Sequence, residues 1–174
     1  MFETYWRTES HPRGLGDDVR NMLISGEFVW NEFQRSTVKD WAACAVQYVR
    51  AIERELHHRL YQCCGTPSAL QYYGKPMKPH QFTFGTVSTA YDRRQYGDQN
   101  WQTLVSRAAL PSGADLNMFE EVIGIIAQLR VSRNQIAHSE RIDQATAAAI
   151  RRATFGQPGT AGVLRRFVEM LDAR

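Results

Sequence analysis

Residues Ser36–Cys64 read STVKDWAACAVQYVRAIERELHHRLYQCC, and their periodicity decides the fold class. Trp41, Ala45, Val49, Ile52, Leu56 and Leu60 recur at intervals of three or four. In a helix that turns about 100° per residue, this spacing lines them along one face. Ser36 or Thr37 can cap the start, with Asp40 following in the first turn. Arg50, Arg54, Glu55 and Arg59 fall on the opposite side and are expected to be wet. A helix with one long apolar stripe has to bury it against other elements.

Downstream, GTPSALQYYGKPMKPHQ holds three prolines and two glycines, which reads as a loop between helices. FTFGTVSTAYDRRQYG predicts a short helix capped by Thr83, with Gly85 at a close approach between helices, and NWQTLVSRAAL predicts another. Ser112 or Asp115 then opens a second long helix, with Phe119, Val122, Ile126, Leu129 and Ala137 on one seam. DQATAAAIRRATF and GTAGVLRRFVEMLDAR follow with helical patterns, their arginines on solvated faces. Upstream, residues 1–35 form an amino-terminal arm of one or two short helices carrying Val19, Leu23, Phe28, Val29 and Phe33. Only GEFVW within it is strand-like. The expectation is all-α: a bundle of about five to seven helices over residues 36–174, preceded by the arm.

At 174 residues the chain suits one domain with a core of its own. Its 43% hydrophobic and 22% charged residues exclude the disordered and membrane classes. The longest apolar runs, WAACAV and VIGIIA, are far too short to span a bilayer. MFETYWRTES at the amino terminus lacks an apolar leader core, and a cytoplasmic location is expected. Three cysteines, with Cys63 and Cys64 adjacent, make no disulfide framework and fit a reducing compartment. A net charge of +3 permits a polyanionic partner without demanding one.

The second long helix ends in RVSRNQIAHSE, Arg130 to Glu140, where polar groups replace the apolar pattern. Arg130, Asn134 and His138 are four apart and share a stripe with Ile123 and Ala127, while Arg133 continues the seam of Val122, Ile126 and Leu129. One account is simple: helix ends reach the surface, and cations there complement the helix dipole. Chemistry supplies another. Arginine offers a fixed fork of donors to phosphate oxygens. Histidine moves protons near neutrality, and an amide beside it can orient the ring or a phosphate oxygen. Together they suit cleavage of a phosphate ester without a metal. In RNA this means attack by the 2′-hydroxyl on the adjacent phosphate. One motif supplies one histidine, so an isologous dimer through this helix would complete the site with a second copy.

RNQIAH, with four residues between Arg133 and His138 and Asn134 directly after the arginine, resembles the signature of the HEPN superfamily. The long helix AVQYVRAIERELHHRL, the FTFGTVSTAY segment and the position of the motif late on a long helix extend the resemblance over roughly Ser36–Leu171. It implies an α-helical bundle dimerising through the motif helix. It also implies, for many members, metal-independent endoribonuclease activity without a cofactor, as toxins or defence effectors controlled by an antitoxin or regulatory protein. By this resemblance Arg133 and His138 are catalytic and Asn134 assists. Other members are non-catalytic modules that bind RNA, nucleotides or proteins, and that alternative stays open.

Arg130 is a geometric candidate for a phosphate contact. Lys75 and Lys78, interleaved with Tyr72, Tyr73 and His80, could track a nucleic-acid backbone or be ordinary loop residues. His57 and His58 near Cys63 and Cys64 lack the spacing of a structural zinc site, so no metal is expected there. One of the two histidines should pack and the other should be wet. Glu53, one turn before His57, is either a surface charge or a carboxylate that orients an imidazole.

Overall fold

A computed structural model describes residues 14–64, 69–138 and 141–171. The expected arm therefore lies partly outside the described residues, as do residues 65–68 of the proline-rich loop, Ser139 and Glu140. The described chain is all-α, with seven helices longer than a single turn: α1 (Asp17–Gln34), α2 (Ala42–Leu56), α3 (Phe84–Asp92), α4 (Gln99–Leu104), α5 (Leu116–Ala137), α6 (Gln144–Phe155) and α7 (Val163–Leu171). Two antiparallel hairpins, β1 (Gln71–Tyr72) with β2 (Lys75–Pro76) and β3 (Gly156–Gln157) with β4 (Thr160–Ala161), complete it. Two compact units form, one from the described residues up to Ile52 with Val131–Glu169, the other from Glu53–Arg130 with Met170 and Leu171. Among the described residues no helix is long and apolar enough to cross a membrane.

In the first unit α1 opens with Asp17 and Asp18, whose charges complement the positive end of the helix. Its buried residues, Val19, Leu23, Gly26 and Glu27, follow helical spacing, so GEFVW belongs to a helix and not to a strand. Gly26 admits the Tyr48 ring, since a Cβ there would sit 2.6 Å from it. Trp30 and Phe33 meet Trp41 edge-on at 4.9 and 5.6 Å between centroids. The start of α2 is set by Asp40, not by Ser36 or Thr37. Its Oδ1 accepts from the amides of Ala42 at 3.1 Å and Ile142 at 3.2 Å.

Inside this unit Glu27, 5% exposed, accepts the Tyr48 hydroxyl at 2.7 Å and two Arg151 donors at 2.7 Å each. The Arg151 guanidinium also lies over the rings of Trp30 and Phe155. The expectation that the AIRRATF arginines face water therefore fails at Arg151, which a buried carboxylate draws inward; Arg152 is exposed.

In the second unit Leu56, Leu60 and Cys64 are all buried at intervals of four, longer than the 3.6 residues of an α-turn. A π-helical turn at His57–Tyr61 supplies the wider turn that keeps them in line. The same device recurs at Val105–Ala109, between Leu104, Ala108 and Ser112. The apolar face Trp41 to Leu60 is buried throughout as predicted. The opposite face is wet only in part: Arg50 and Arg54 are exposed, whereas Glu55 and Arg59 are buried as an ion pair of 2.5 Å. Each charge offsets the other's desolvation, which neither could bear alone.

Thr83 begins α3 as expected, its amide donating to the Thr86 hydroxyl at 2.8 Å. Asp115 begins α5, accepting from Asn117 at 2.8 Å and Met118 at 3.1 Å. The close approach predicted at Gly85 is found instead at Gly124 of α5. A Cβ on Gly124 would lie 2.7 Å from the Tyr91 hydroxyl, while one on Gly85 would meet only the Thr83 hydroxyl at 3.5 Å. The α5 seam is buried at Phe119, Val122, Ile126 and Leu129 and stops there, since Ala137 is exposed.

Candidate nucleic-acid site

Past Leu129 the character of α5 changes within two turns. Arg133 is half-buried, and Asn134 and His138 are exposed. His138 closes the helix, its amide donating to the Asn134 carbonyl at 3.0 Å. Val131, 64% exposed, stands three residues before Asn134 and seven before His138, spacings that share a helix face. With exposed Ala137 this makes a solvent-facing surface of mixed polar and apolar character in the first unit. A guanidinium, an amide and an imidazole within six residues at a helix end can bind a phosphate and exchange protons with water or substrate.

Arg130 belongs to the second unit, where its guanidinium is 3.6 Å from Asp92. There it lines a cleft of about 690 Å³, whose wall also includes Tyr73, Gly85, Thr86, Arg93 and Asn100. Lys75 and Lys78 are exposed on the chain that carries Tyr72 and Tyr73, one in β2 and one just after it, and neither lines the cleft.

The hairpin is anchored through a side chain. The Asn100 amide accepts from the Gln71 amide at 2.7 Å and donates to the Gln71 carbonyl at 2.8 Å, replacing a neighbouring strand. Thr103 adds a bond to the Ala69 carbonyl at 3.1 Å. At the tip Tyr73 and Gly74 both take positive φ, 51° and 73°, as a two-residue hairpin turn of the primed type requires. The sequence reading missed this hairpin and the roles of Arg93 and Asn100. The signal was the Tyr-Gly pair between QY and KP, masked by prolines that argue for a loop.

The other candidates lead away from chemistry. His57 packs against Tyr61 and Phe82, each at 5.6 Å between centroids, and His58 is exposed. Burial pulls the His57 imidazole below its ordinary value, favouring the neutral ring. Burial likewise pushes the Cys44 and Cys64 thiols up to about 11, so neither offers a thiolate near neutrality. Among the described residues no group of three or more His, Cys, Asp or Glu side chains could hold a metal ion.

Compared with known proteins, the chain matches no family model, no curated protein and no solved structure.

Proposed function

We propose that this chain is a HEPN-type, metal-independent endoribonuclease that acts as a homodimer, as a toxin or defence effector under the control of a partner protein. One observation carries the reading. The last turns of a long helix, otherwise committed to core, turn an outward face of Val131, Asn134, Ala137 and His138 to solvent, with Arg133 beside it. Mixed faces of this kind suit an isologous contact, in which each copy meets the other's identical residues.

In such a dimer two His138 side chains share the chemistry. One takes the proton of the ribose 2′-hydroxyl as that oxygen attacks phosphorus. The other gives a proton to the departing 5′-oxygen as the P–O5′ bond breaks. The products are a 2′,3′-cyclic phosphate and a 5′-hydroxyl. Arg133 neutralises the charge that gathers on the phosphoryl oxygens, and Asn134 orients the imidazole or a phosphate oxygen.

The test is cleavage of an end-labelled structured RNA in excess EDTA by the parent chain and by His138→Ala, with analysis of the fragment ends. Metal-independent fragments bearing cyclic phosphate, reduced about 10²- to 10⁴-fold in the variant, are expected. If a folded, dimeric parent leaves the RNA intact, the reading fails in favour of a non-catalytic module that binds RNA, a nucleotide or a protein.

A further inference from the structure

We infer that the cleft of the second unit binds one nucleotide unit, its phosphate held by Arg93 and Arg130 and its base stacked on Tyr73. The volume of about 690 Å³ lies in the range of small-molecule sites. Two arginines on its wall supply the cationic end: Arg93 is exposed, and Arg130 is steadied by Asp92 at 3.6 Å. That ion pair is part-exposed on both sides and weak for that reason, so a phosphate can share or replace it.

Tyr73 supplies the aromatic end. Its side chain is 90% exposed, with the Tyr72 ring edge-on at 4.7 Å. Its φ of 51° is a conformation that asparagine, aspartate and glycine take readily and a bulky side chain takes at a cost. Stability alone would select Asn-Gly at this turn. Tyrosine here sets an exposed ring on a hairpin that Asn100 fixes in place, a preorganised stacking platform.

Gly85 points the same way. It sits in the first turn of α3 with room for a side chain, where alanine would favour the helix. What glycine gains there is an open wall. Several polar groups of the wall are already engaged: the Asn100 amide with Gln71, the Asp98 carboxylate with the Trp101 amide, and the Thr86 and Thr89 hydroxyl protons with the carbonyls of Thr83 and Gly85. Phosphate charge and stacking, which tolerate any base, carry the proposed recognition, and the Gln71 and Gln99 side chains on the same wall are the groups that could add a base preference.

A free mononucleotide and a nucleotide within an RNA strand present the same chemistry. The experiment measures binding to the full-length chain carrying His138→Ala, which keeps RNA intact, so this inference and the ribonuclease reading fail separately. The probes are a fluorescein-labelled single-stranded RNA hexamer, read by anisotropy, and AMP, GMP, CMP and UMP as competitors. Tyr73→Asn is expected to keep or raise the melting temperature while weakening binding about tenfold. Gly85→Leu fills the cleft and should abolish competition, and Arg93→Ala should weaken both probes and flatten the salt dependence. Competition by all four mononucleotides identifies the free nucleotide as sufficient; binding of the hexamer alone identifies the strand. Absence of binding by every probe overturns the inference. So does binding unchanged in Tyr73→Asn and Gly85→Leu, or a Tyr73→Asn loss that merely follows a fall in melting temperature.

Discussion

Arg151 grips Glu27 from across 124 positions of sequence, through two hydrogen bonds of 2.7 Å that join α6 to α1. Tyr48 of α2 adds a third bond to the same carboxylate. Burial, with the Glu27 charge beside it, raises the Tyr48 hydroxyl far above its ordinary value and keeps it a donor. Removing one partner leaves a buried charge uncompensated. Arg151→Ala should therefore cost about 3–5 kcal/mol in urea denaturation. The combined change Glu27→Met, Tyr48→Phe and Arg151→Met removes every polar member and should recover most of that loss. An Arg151→Ala loss below about 1 kcal/mol would show that the pair is dispensable.

Gly156 ends α6 at φ 89° and ψ −166°, a region open almost solely to glycine. An added Cβ would run into the Thr160 carbonyl oxygen and the Gly162 backbone, neither of which can rotate away. Gly156→Ala should cost more than about 2 kcal/mol. Gly85→Ala, whose Cβ would make only an ordinary contact with the Thr83 hydroxyl at 3.5 Å, should be neutral or stabilising by up to about 1 kcal/mol. Thermal unfolding of the two variants side by side checks the contrast in sign.

Burial holds the His57 imidazole below its usual 6.5 in the folded chain. The unfolded chain therefore binds a proton first as pH falls, and stability must rise with pH across that window. The contribution is complete above pH 6.5 and is lost on descent towards the depressed folded value. His57→Phe keeps ring contacts with Tyr61 and Phe82 but cannot titrate. The melting temperature of the parent minus that of the variant should become more negative below pH 6.5. A difference independent of pH would contradict the assignment.

The pattern of α2 and its flanks was legible because six apolar positions, Trp41 to Leu60, repeat at a spacing that only a helix satisfies, and all six are buried. The charges on its other side were not. Nothing local distinguishes Glu55 and Arg59 from Arg50 and Arg54; the first pair is buried with each charge against the other, and Arg59 sits within the π-turn. Arg151 was misread for a related reason, since its partner Glu27 sits on a distant helix. GEFVW looked like a strand because aromatic and β-branched residues favour either fate, and the inward spacing of Leu23 and Glu27 decided for helix. The polar end of α5 was visible as a break in the seam after Leu129. The cleft was hidden, because Tyr73, Arg93 and Arg130 come from a hairpin, a helix end and a second helix.

Val131 offers a direct test of the proposed composite site. It is 64% exposed, so charging it leaves the packing of the folded chain almost untouched. It shares a helix face with Asn134 and His138, so Val131→Glu in an isologous dimer would place two like charges against each other across the axis. The variant should keep the parent's melting temperature at low concentration, sediment as a monomer and lose RNA cleavage. The parent's activity should then fall as the square of its concentration once dilution drives the dimer apart, because in the proposed dimer two chains assemble each site. A monomeric Val131→Glu chain that cleaves at the parent's rate would confine the chemistry to one copy. The single His138 would then need another group of the same chain to carry the second proton.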